Sequence, residues 1–166
     1  MAKYQRLSDK LLEMKFTPDQ VVGAPICRWK YLGIIVDIMS LDENILGFSN
    51  KYYKEGFKFK ENYQLPNRKE IQILPIGWFL ATKIQAYYSR GESDPRLSKD
   101  LEDIIAILVD GKDIELISKS VDVLVYIKES LTNILNNPNS AEAIRGFLTG
   151  SIKEEFELIK NRVSSL

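Results

Sequence analysis

The junction at Pro75 constrains the fold of this chain more than any other feature of its sequence. Residues Glu70 to Leu74 alternate polar and apolar side chains, a period typical of a β-strand with one buried face. Proline fixes its own φ and has no N–H to donate, so it ends that strand and suits the first turn of a helix. From Ile76 the spacing becomes helical, with Leu80 and Ile84 on one side. A strand that leads directly into a helix predicts a mixed fold.

The residues before this junction carry weaker local signals. Residues 4 to 14 place apolar side chains at helical spacing and predict a short amphipathic helix. Residues 26 to 39 predict a β-hairpin, because the strand-like segment Ile26 to Tyr31 is followed by a turn near Leu32-Gly33 and by a run rich in β-branched residues from Ile34 to Met39. Residues 43 to 56 favour a short helix, and we expect Lys58 to Pro66 to be a polar connection.

The residues after the junction predict helices. The helix from Ile76 ends at Gly91 to Pro95, and the next helix starts at Asp94-Pro95 or at Ser98. Its apolar positions, which we expect to face a core, are Leu97, Leu101, Ile104, Ile105 and Leu108. From Lys112 to the end only helices are predicted, and Ser151 to Glu154 form a capping box.

These elements define the predicted architecture. We expect an α+β fold in which a small mixed or antiparallel sheet precedes a C-terminal helical bundle. Residues 1–110 would form the α+β core, and residues 111–166 a helical cap packed on the same core. The length of 166 residues fits this single-core organisation.

The composition excludes several classes of function. The chain contains no histidine, so mechanisms that need an imidazole as base, acid or metal ligand are excluded. Cys27 is the only cysteine, which excludes a disulfide framework or thiolate cluster and predicts a cytoplasmic location. We expect Cys27 to be a small buried apolar residue. Lys+Arg and Asp+Glu both number 23, so there is no general attraction to polyanions or membranes.

Sequence signatures of membranes and of common phosphate cradles are missing. The first residues lack the apolar region of a signal peptide, and no apolar stretch reaches the length of a membrane span. Neither a G-x-x-x-x-G-K-[ST] loop nor a G-x-G-x-x-G turn occurs. We expect no membrane association, no Walker-type or Rossmann site, and no DNA-binding role.

Asp37 is the first candidate site residue. It lies among Ile and Val residues of the predicted hairpin, where a lone carboxylate is costly unless it binds a metal, a cation or hydrogen-bond donors. An equally good interpretation is an ion pair with Arg28 or Lys30 across the hairpin. Position along the strand leaves both open.

The helix after Pro75 and the one that follows it carry the other candidates. Lys83, Tyr87 and Arg90 recur at helical spacing and could hold phosphate oxygens, although a basic helix face is more often simply solvated. Asp100 and Asp103 could orient Lys83 or Arg90. Acids in a first helical turn also stabilise the helix by complementing its dipole, which is the commoner reason for them.

Taken in order, three segments resemble one known family. They are residues 34–39 around Asp37, residues 74–87 with the pattern Lys83-Ile84-Gln85-Ala86, and residues 98–104 with Lys99-Asp100-Leu101-Glu102-Asp103. The combination resembles the abortive-infection-type nucleotidyltransferases, a toxin-related branch of the DNA polymerase β-like superfamily. The likeness covers roughly residues 20 to 110.

The resemblance implies a set of roles. Asp37 would be a metal-binding carboxylate for Mg²⁺, Lys83 the helix lysine near the nucleotide phosphates, and Asp100 the acid of the second helix. Arg90 would contact nucleotide, while Tyr87 and Asp103 would support the site. The implied reaction transfers a nucleotide from a nucleoside triphosphate (NTP) to an RNA or protein hydroxyl, and an antitoxin or a second copy of the chain is an implied partner.

One part of the family pattern is missing. The family begins with a G-[GS] turn followed by a D-x-[DE] pair on a strand, and nothing before Asp37 supplies either. We therefore expect transfer to be impaired unless a lost or separately encoded segment supplies these acids. The alternative is a non-catalytic remnant of the fold that binds a partner or dimerises through an exposed sheet edge.

Overall fold

The structure is a computed structural model that describes residues 2–46, 49–111 and 120–166. Within these residues the chain forms eight α-helices and five short β-strands, which confirms the α+β class. The helices are α1 (Ala2–Glu13), α2 (Glu43–Leu46), α3 (Lys51–Gly56), α4 (Ile76–Ala86), α5 (Lys99–Asp110), α6 (Val121–Asn136), α7 (Pro138–Phe147) and α8 (Ile152–Ser165). The strands are β1 (Thr17–Pro18), β2 (Arg28–Tyr31), β3 (Ile34–Asp37), β4 (Glu61–Gln64) and β5 (Glu70–Ile73).

The chain divides into two compact units, and the first is Met1–Ser49. It contains α1, α2 and an antiparallel sheet in the order β1-β2-β3. The predicted hairpin is confirmed, since β2 pairs with β3 around a two-residue turn in which Leu32 and Gly33 have φ of 49° and 81°. Positive φ at both turn positions matches the right-handed twist of a hairpin. Cys27 is buried beside it, as expected.

The second unit, Asn50–Leu166, contains the β4-β5 hairpin and the remaining helices. The strand at Glu70–Ile73 is confirmed, but the interpretation of Lys58 to Pro66 as a polar connection is wrong. Part of it forms β4, where Tyr63 pairs with Ile71. Every side chain of β4 is exposed, so no apolar alternation marks this strand, and its backbone hydrogen bonds to β5 hold it in place.

Helices α4 to α8 build the core of the second unit. The aliphatic side chains with the least exposure are Leu80, Ile84, Leu101, Ile104, Leu108, Ile127, Leu131, Ile144 and Ile159. Within α4, α5 and α6 they recur three or four residues apart, which gives each helix one apolar face. The predicted core positions of α5 are therefore confirmed, except Leu97. Leu97 is 80% exposed, because it lies in the 3-10 turn Pro95–Leu97 before α5 begins.

The ends of the C-terminal helices differ in how they are capped. The Asn137 side chain accepts hydrogen bonds from the N–H groups of Asn139 and Ser140 and so starts α7. The predicted capping box at α8 is wrong, since the Ser151 side chain makes no capping bond. Instead the Glu155 carboxylate accepts from the Gly150 N–H at 3.2 Å.

Two sequence predictions lie partly outside the described residues. The helix predicted over residues 43 to 56 appears as α2 and α3, with residues 47 and 48 undescribed. The prediction that only helices follow Lys112 is confirmed from Val121 onward, and residues 112–119 lie outside the described residues. The division after residue 110 stays a prediction. No helix in the described part of the chain is long and apolar enough to cross a membrane.

Candidate functional site

The end of α4 and the start of α5 bring four charged side chains together. Lys83 lies in the last turn of α4, and Arg90 lies in the π-helical turn Tyr87–Gly91 that continues it. Asp100 and Asp103 lie in the first two turns of α5. We call Lys83, Arg90, Asp100 and Asp103 the Lys83 cluster.

The chain between the two helices is tightly packed at Gly91. A Cβ atom at this position would lie 2.2 Å from Ser98 Oγ and 2.9 Å from Ser98 Cβ. The Ser98 hydroxyl in turn caps α5 by accepting from the Leu101 N–H at 3.2 Å. The absence of a side chain at Gly91 therefore lets the start of α5 approach the π-helical turn. Sequence reasoning treated Gly91 only as a helix breaker and missed this contact.

Asp100 is the centre of the Lys83 cluster. It lies in the first turn of α5, as the dipole interpretation requires, and is only 4% exposed. Arg90 donates to it through Nε at 2.8 Å and Nη2 at 3.0 Å, the bidentate geometry of a strong guanidinium–carboxylate pair. Lys83 Nζ lies 3.5 Å from Asp100 Oδ1. A buried carboxylate is thus compensated by two cations.

Lys83 is shared between the two acids of α5. Its Nζ lies 2.5 Å from Asp103 Oδ2, closer than to Asp100, and 5.4 Å from the centre of the Phe79 ring. Burial acts to lower the pKa of Lys83, but the carboxylates of Asp103 and Asp100 outweigh it and raise that pKa above its ordinary value. Lys83 therefore carries its charge at neutral pH.

Accessibility differs across the cluster. The Arg90 side chain is 70% exposed, whereas the Lys83 side chain is 23% exposed and that of Asp100 is 6% exposed. With two cations and two carboxylates the cluster has no net charge. An anion can reach the cations from solvent, but it must compete with carboxylates that already hold them.

Tyr87 lies away from these groups. The sequence placed it on one face with Lys83 and Arg90, yet it is only 1% exposed and belongs to the core. Its hydroxyl lies 2.8 Å from the Ser140 hydroxyl of α7. The π-helical turn begins at Tyr87, so the spacing from Tyr87 to Arg90 no longer follows the α-helix, whereas the spacing from Lys83 to Tyr87 still does. Tyr87 supports the packing of this segment on α7.

Asp37 belongs to the first compact unit. It lies opposite Arg28 in the β2-β3 register, and Arg28 donates to it through Nε at 2.8 Å and Nη2 at 3.0 Å. This is one of the two interpretations that the sequence left open. The other candidate partner, Lys30, binds Asp19 at 2.6 Å. The Asp37 carboxylate raises the pKa of Arg28, as expected for a close pair.

The described residues do not fit the implied Mg²⁺ centre. Among them there is no group of three or more His, Cys, Asp or Glu side chains that could hold a metal ion. Both Asp37 oxygens accept from Arg28, so coordination would require this pair to open. Mg²⁺ binding at Asp37 stays a prediction.

A polar cleft of about 220 Å³ lies beside α7 and shares no residue with the Lys83 cluster. Its lining consists of Ser93, Asp94, Pro95, Arg96, Asn139 and Glu142. Arg96 and Glu142 form an ion pair at 2.7 Å in its wall, and both side chains are mostly exposed. The cleft therefore offers no buried polar group to orient a ligand.

Comparison with known proteins identifies no relative of this chain. No family model, no curated protein and no solved structure matches the chain.

Proposed function

We propose that this chain is a nucleotidyltransferase-like protein in which the Lys83 cluster contacts the phosphates of a nucleoside triphosphate. The implied reaction transfers a nucleotide to an RNA or protein hydroxyl. The observation that carries the proposal is the convergence of Lys83 and Arg90 on one buried carboxylate, Asp100. Such a carboxylate fixes the direction of both cations, which favours recognition of an anion by preformed groups.

Asp100 would act as a positioning residue in this proposal. Its bidentate contact fixes the plane of the Arg90 guanidinium, and that guanidinium is largely open to solvent. Lys83 would turn from Asp103 toward the phosphates, because Asp103 is its more exposed acid partner. The Lys83 side chain is only 23% exposed, so the phosphates must replace the charge that Asp103 provides to it.

Nucleotide transfer needs more than these contacts. The described residues provide cations for the phosphates but no acid cluster for a metal pair. We therefore propose binding of the triphosphate by this chain, and transfer only when further acids complete the site. Because Asp37 is tied to Arg28 in the first unit, the binding proposal does not depend on Asp37.

Nucleotide binding is the direct test. The melting temperature of the protein is measured with each of the four ribonucleoside triphosphates, with and without Mg²⁺, because a ligand of the native state raises it. We expect at least one nucleotide to stabilise the wild type, and Lys83→Gln to weaken its affinity at least tenfold. Lys99→Gln is the matched control, since Lys99 is 87% exposed and pairs only with nearby Glu102 among the described residues.

Two results would overturn the proposal. If no nucleotide shifts the melting temperature at millimolar concentration, the Lys83 cluster is only a structural ion-pair network. Equal loss of affinity in Lys83→Gln and Lys99→Gln would place the nucleotide elsewhere. Labelled NTP with cellular RNA or protein then tests transfer separately.

A second candidate function is self-association through the first unit. Strand β3 pairs only with β2 in the described part of the chain, so its other edge has no partner strand. Ile34 and Ile35 on this edge are 63% and 57% exposed. In addition, the buried Trp29 Nε1 has no acceptor among the described residues. An exposed apolar edge strand is a ready template for a second copy of the same strand.

Solution mass distinguishes this candidate. We expect light scattering to show a concentration-dependent dimer, and Ile35→Lys to convert it to monomer, because a charge on an edge strand opposes pairing. Val125→Lys is the matched control, as Val125 is 47% exposed on α6 in the second unit. A monomer at every concentration would exclude this function.

A further inference from the structure

Residues 51–69 concentrate positive charge in a chain that is neutral overall. This segment has six Lys or Arg residues and two Glu residues, whereas the whole chain has equal numbers of basic and acidic residues. It comprises α3, a 3-10 turn at Phe57–Phe59, strand β4 and the turn before β5. We call it the aromatic-basic segment. A local cationic surface is the footprint of a polyanion partner even when net charge is zero.

Aromatic rings alternate with the cations and remain open to solvent. Phe57, Phe59 and Tyr63 are 50%, 47% and 51% exposed. Large aromatic side chains usually bury most of their surface, about 150–250 Å² each. About half of the surface of each ring therefore remains in contact with solvent.

One ring is mounted on a rigid support. The Phe59 ring stacks on the indole of Trp78 with centroids 5.4 Å apart and planes 10° from parallel. Trp78 is itself only 6% exposed and belongs to the core of the second unit. A planar base could continue this stack, and such stacking requires no particular base sequence.

The backbone at the end of α3 passes close to the Trp78 indole. A Cβ atom at Gly56 would lie 2.9 Å from Trp78 Cβ and 3.1 Å from its Cγ, so only glycine lets the end of α3 approach the indole without a shift. The next residues form the 3-10 turn that carries Phe59. The parallel stack is thus built into the second unit.

Cations lie before and after the rings along the aromatic-basic segment. Lys60 Nζ lies 4.6 Å from the centre of the Phe57 ring, and Lys58 pairs with Glu55 at 2.7 Å. Arg68 and Lys69 are exposed at the turn between β4 and β5, and neither has an ion-pair partner among the described residues. These side chains can meet phosphates without first losing an acid.

We propose that the aromatic-basic segment binds single-stranded nucleic acid, with a base stacked on Phe59 and phosphates held by Lys60, Arg68 and Lys69. A membrane surface is the less favoured partner, because the Phe59 ring lies flat against Trp78 and Phe57 is covered by Lys60, so neither projects as an apolar anchor. None of these residues belongs to the Lys83 cluster, and the proposal does not rest on nucleotide transfer.

Fluorescence anisotropy of the full chain with labelled 20-mers of oligo-uridylate and oligo-deoxythymidylate tests the proposal. We expect binding of one or both strands at low salt, weaker binding of a duplex of the same length, and loss of affinity as salt rises. The two single strands decide whether RNA or DNA is preferred. Vesicles containing anionic phospholipid form a separate arm of the experiment.

Two variants address the stack and the charge. Phe59→Leu keeps an apolar side chain but removes the aromatic face, and should weaken binding by about 5-fold to 150-fold, the range for loss of one base stack. Lys60→Gln should lower the slope of log affinity against log salt by about 0.7, the value for one single-strand phosphate contact. Lys153→Gln, an exposed lysine on α8, is the matched control and should change neither quantity.

Three outcomes would overturn the proposal. They are no binding of either oligonucleotide at tens of micromolar protein, binding that Phe59→Leu and Lys60→Gln leave unchanged, and binding of vesicles alone. Circular dichroism of Phe59→Leu shows whether the variant is folded. If it is not, Lys60→Gln together with Arg68→Gln gives the decision, because both side chains are exposed and carry no core contact.

Discussion

Arg90 and Asp100 form a two-pronged ion pair that joins the π-helical turn after α4 to the first turn of α5. The carboxylate is buried while the guanidinium is mostly exposed, so the acid depends on the pair more than the base does. Removing the acid leaves Lys83 with Asp103 alone and leaves Arg90 without this partner. The pair is therefore expected to contribute to stability as well as to the proposed site.

Asp100→Asn tests this dependence. Loss of hydrogen bonds to a charged group costs about 1.5–3 kcal/mol, and we expect a loss in the free energy of unfolding of about 1–3 kcal/mol. Urea denaturation measures it. Glu102→Gln is the matched control, because Glu102 is a half-exposed acid on the same helix in a surface pair with Lys99, and should cost less than about 1 kcal/mol. Equal losses in the two variants would contradict the central role of Asp100.

The pH dependence of stability should report Lys83. Its pKa is raised in the native state from an ordinary value of 10.5, despite the burial that opposes this, by the carboxylates of Asp103 and Asp100. A raised native pKa means that the native state holds the proton more tightly. The stabilisation by Lys83 is therefore complete below about pH 10.5 and is lost as the pH rises through the native pKa.

The measurement compares wild type with Lys83→Met between pH 8 and pH 12. We expect the difference in unfolding free energy to be constant at the lower end and to shrink above about pH 10.5. Partly buried tyrosines such as Tyr126, whose pKa is raised to about 12 mainly by burial, ionise in both proteins and cancel in the difference. A difference that grows with pH would show that Lys83 is not stabilised by these acids.

The sequence predicted the helices with strong periodicity and the strands with apolar residues, but neither β1 nor β4. Positions Leu101, Ile104 and Leu108 were identifiable, because their spacing follows the helix period and burial enforces it. Strand β4 has exposed side chains only, so its identity depends on pairing with β5 and not on a local pattern. Pairing through the backbone leaves no trace in the side-chain composition of the strand.

The candidate site was predictable in part. The proximity of Lys83 and Arg90 to the acids of α5 follows from helical spacing and a short connection. The burial of Asp100 and of Tyr87 does not, because it depends on tertiary contacts, with Arg90 for Asp100 and with Ser140 of α7 for Tyr87. Local propensity cannot specify an insertion of this kind within a helix.

Gly91→Ala tests that packing. The added methyl would overlap Ser98, so the turn or the start of α5 must shift, and overpacking of this kind costs about 1–3 kcal/mol. Gly146→Ala is the matched control, since no atom lies within 4 Å of a Cβ at Gly146 in α7. There we expect no loss, or a gain of about 0.4–1 kcal/mol from reduced freedom of the unfolded chain. Thermal unfolding measures both, and a stable Gly91→Ala would contradict the close approach.

Asp37→Asn separates the two interpretations of the strand acid. If Asp37 serves in the ion pair with Arg28, the variant should lose less than about 1 kcal/mol, because the two side chains are 33% and 42% exposed. Arg28→Gln should lose a similar amount, and the double variant should lose little more than either single one, since both remove the same pair. Isothermal titration with Mg²⁺ provides the second measurement. A metal competes with Arg28 for this carboxylate if the wild type binds Mg²⁺, Asp37→Asn does not, and Arg28→Gln binds it more tightly. If no variant binds Mg²⁺, the role of Asp37 is the ion pair.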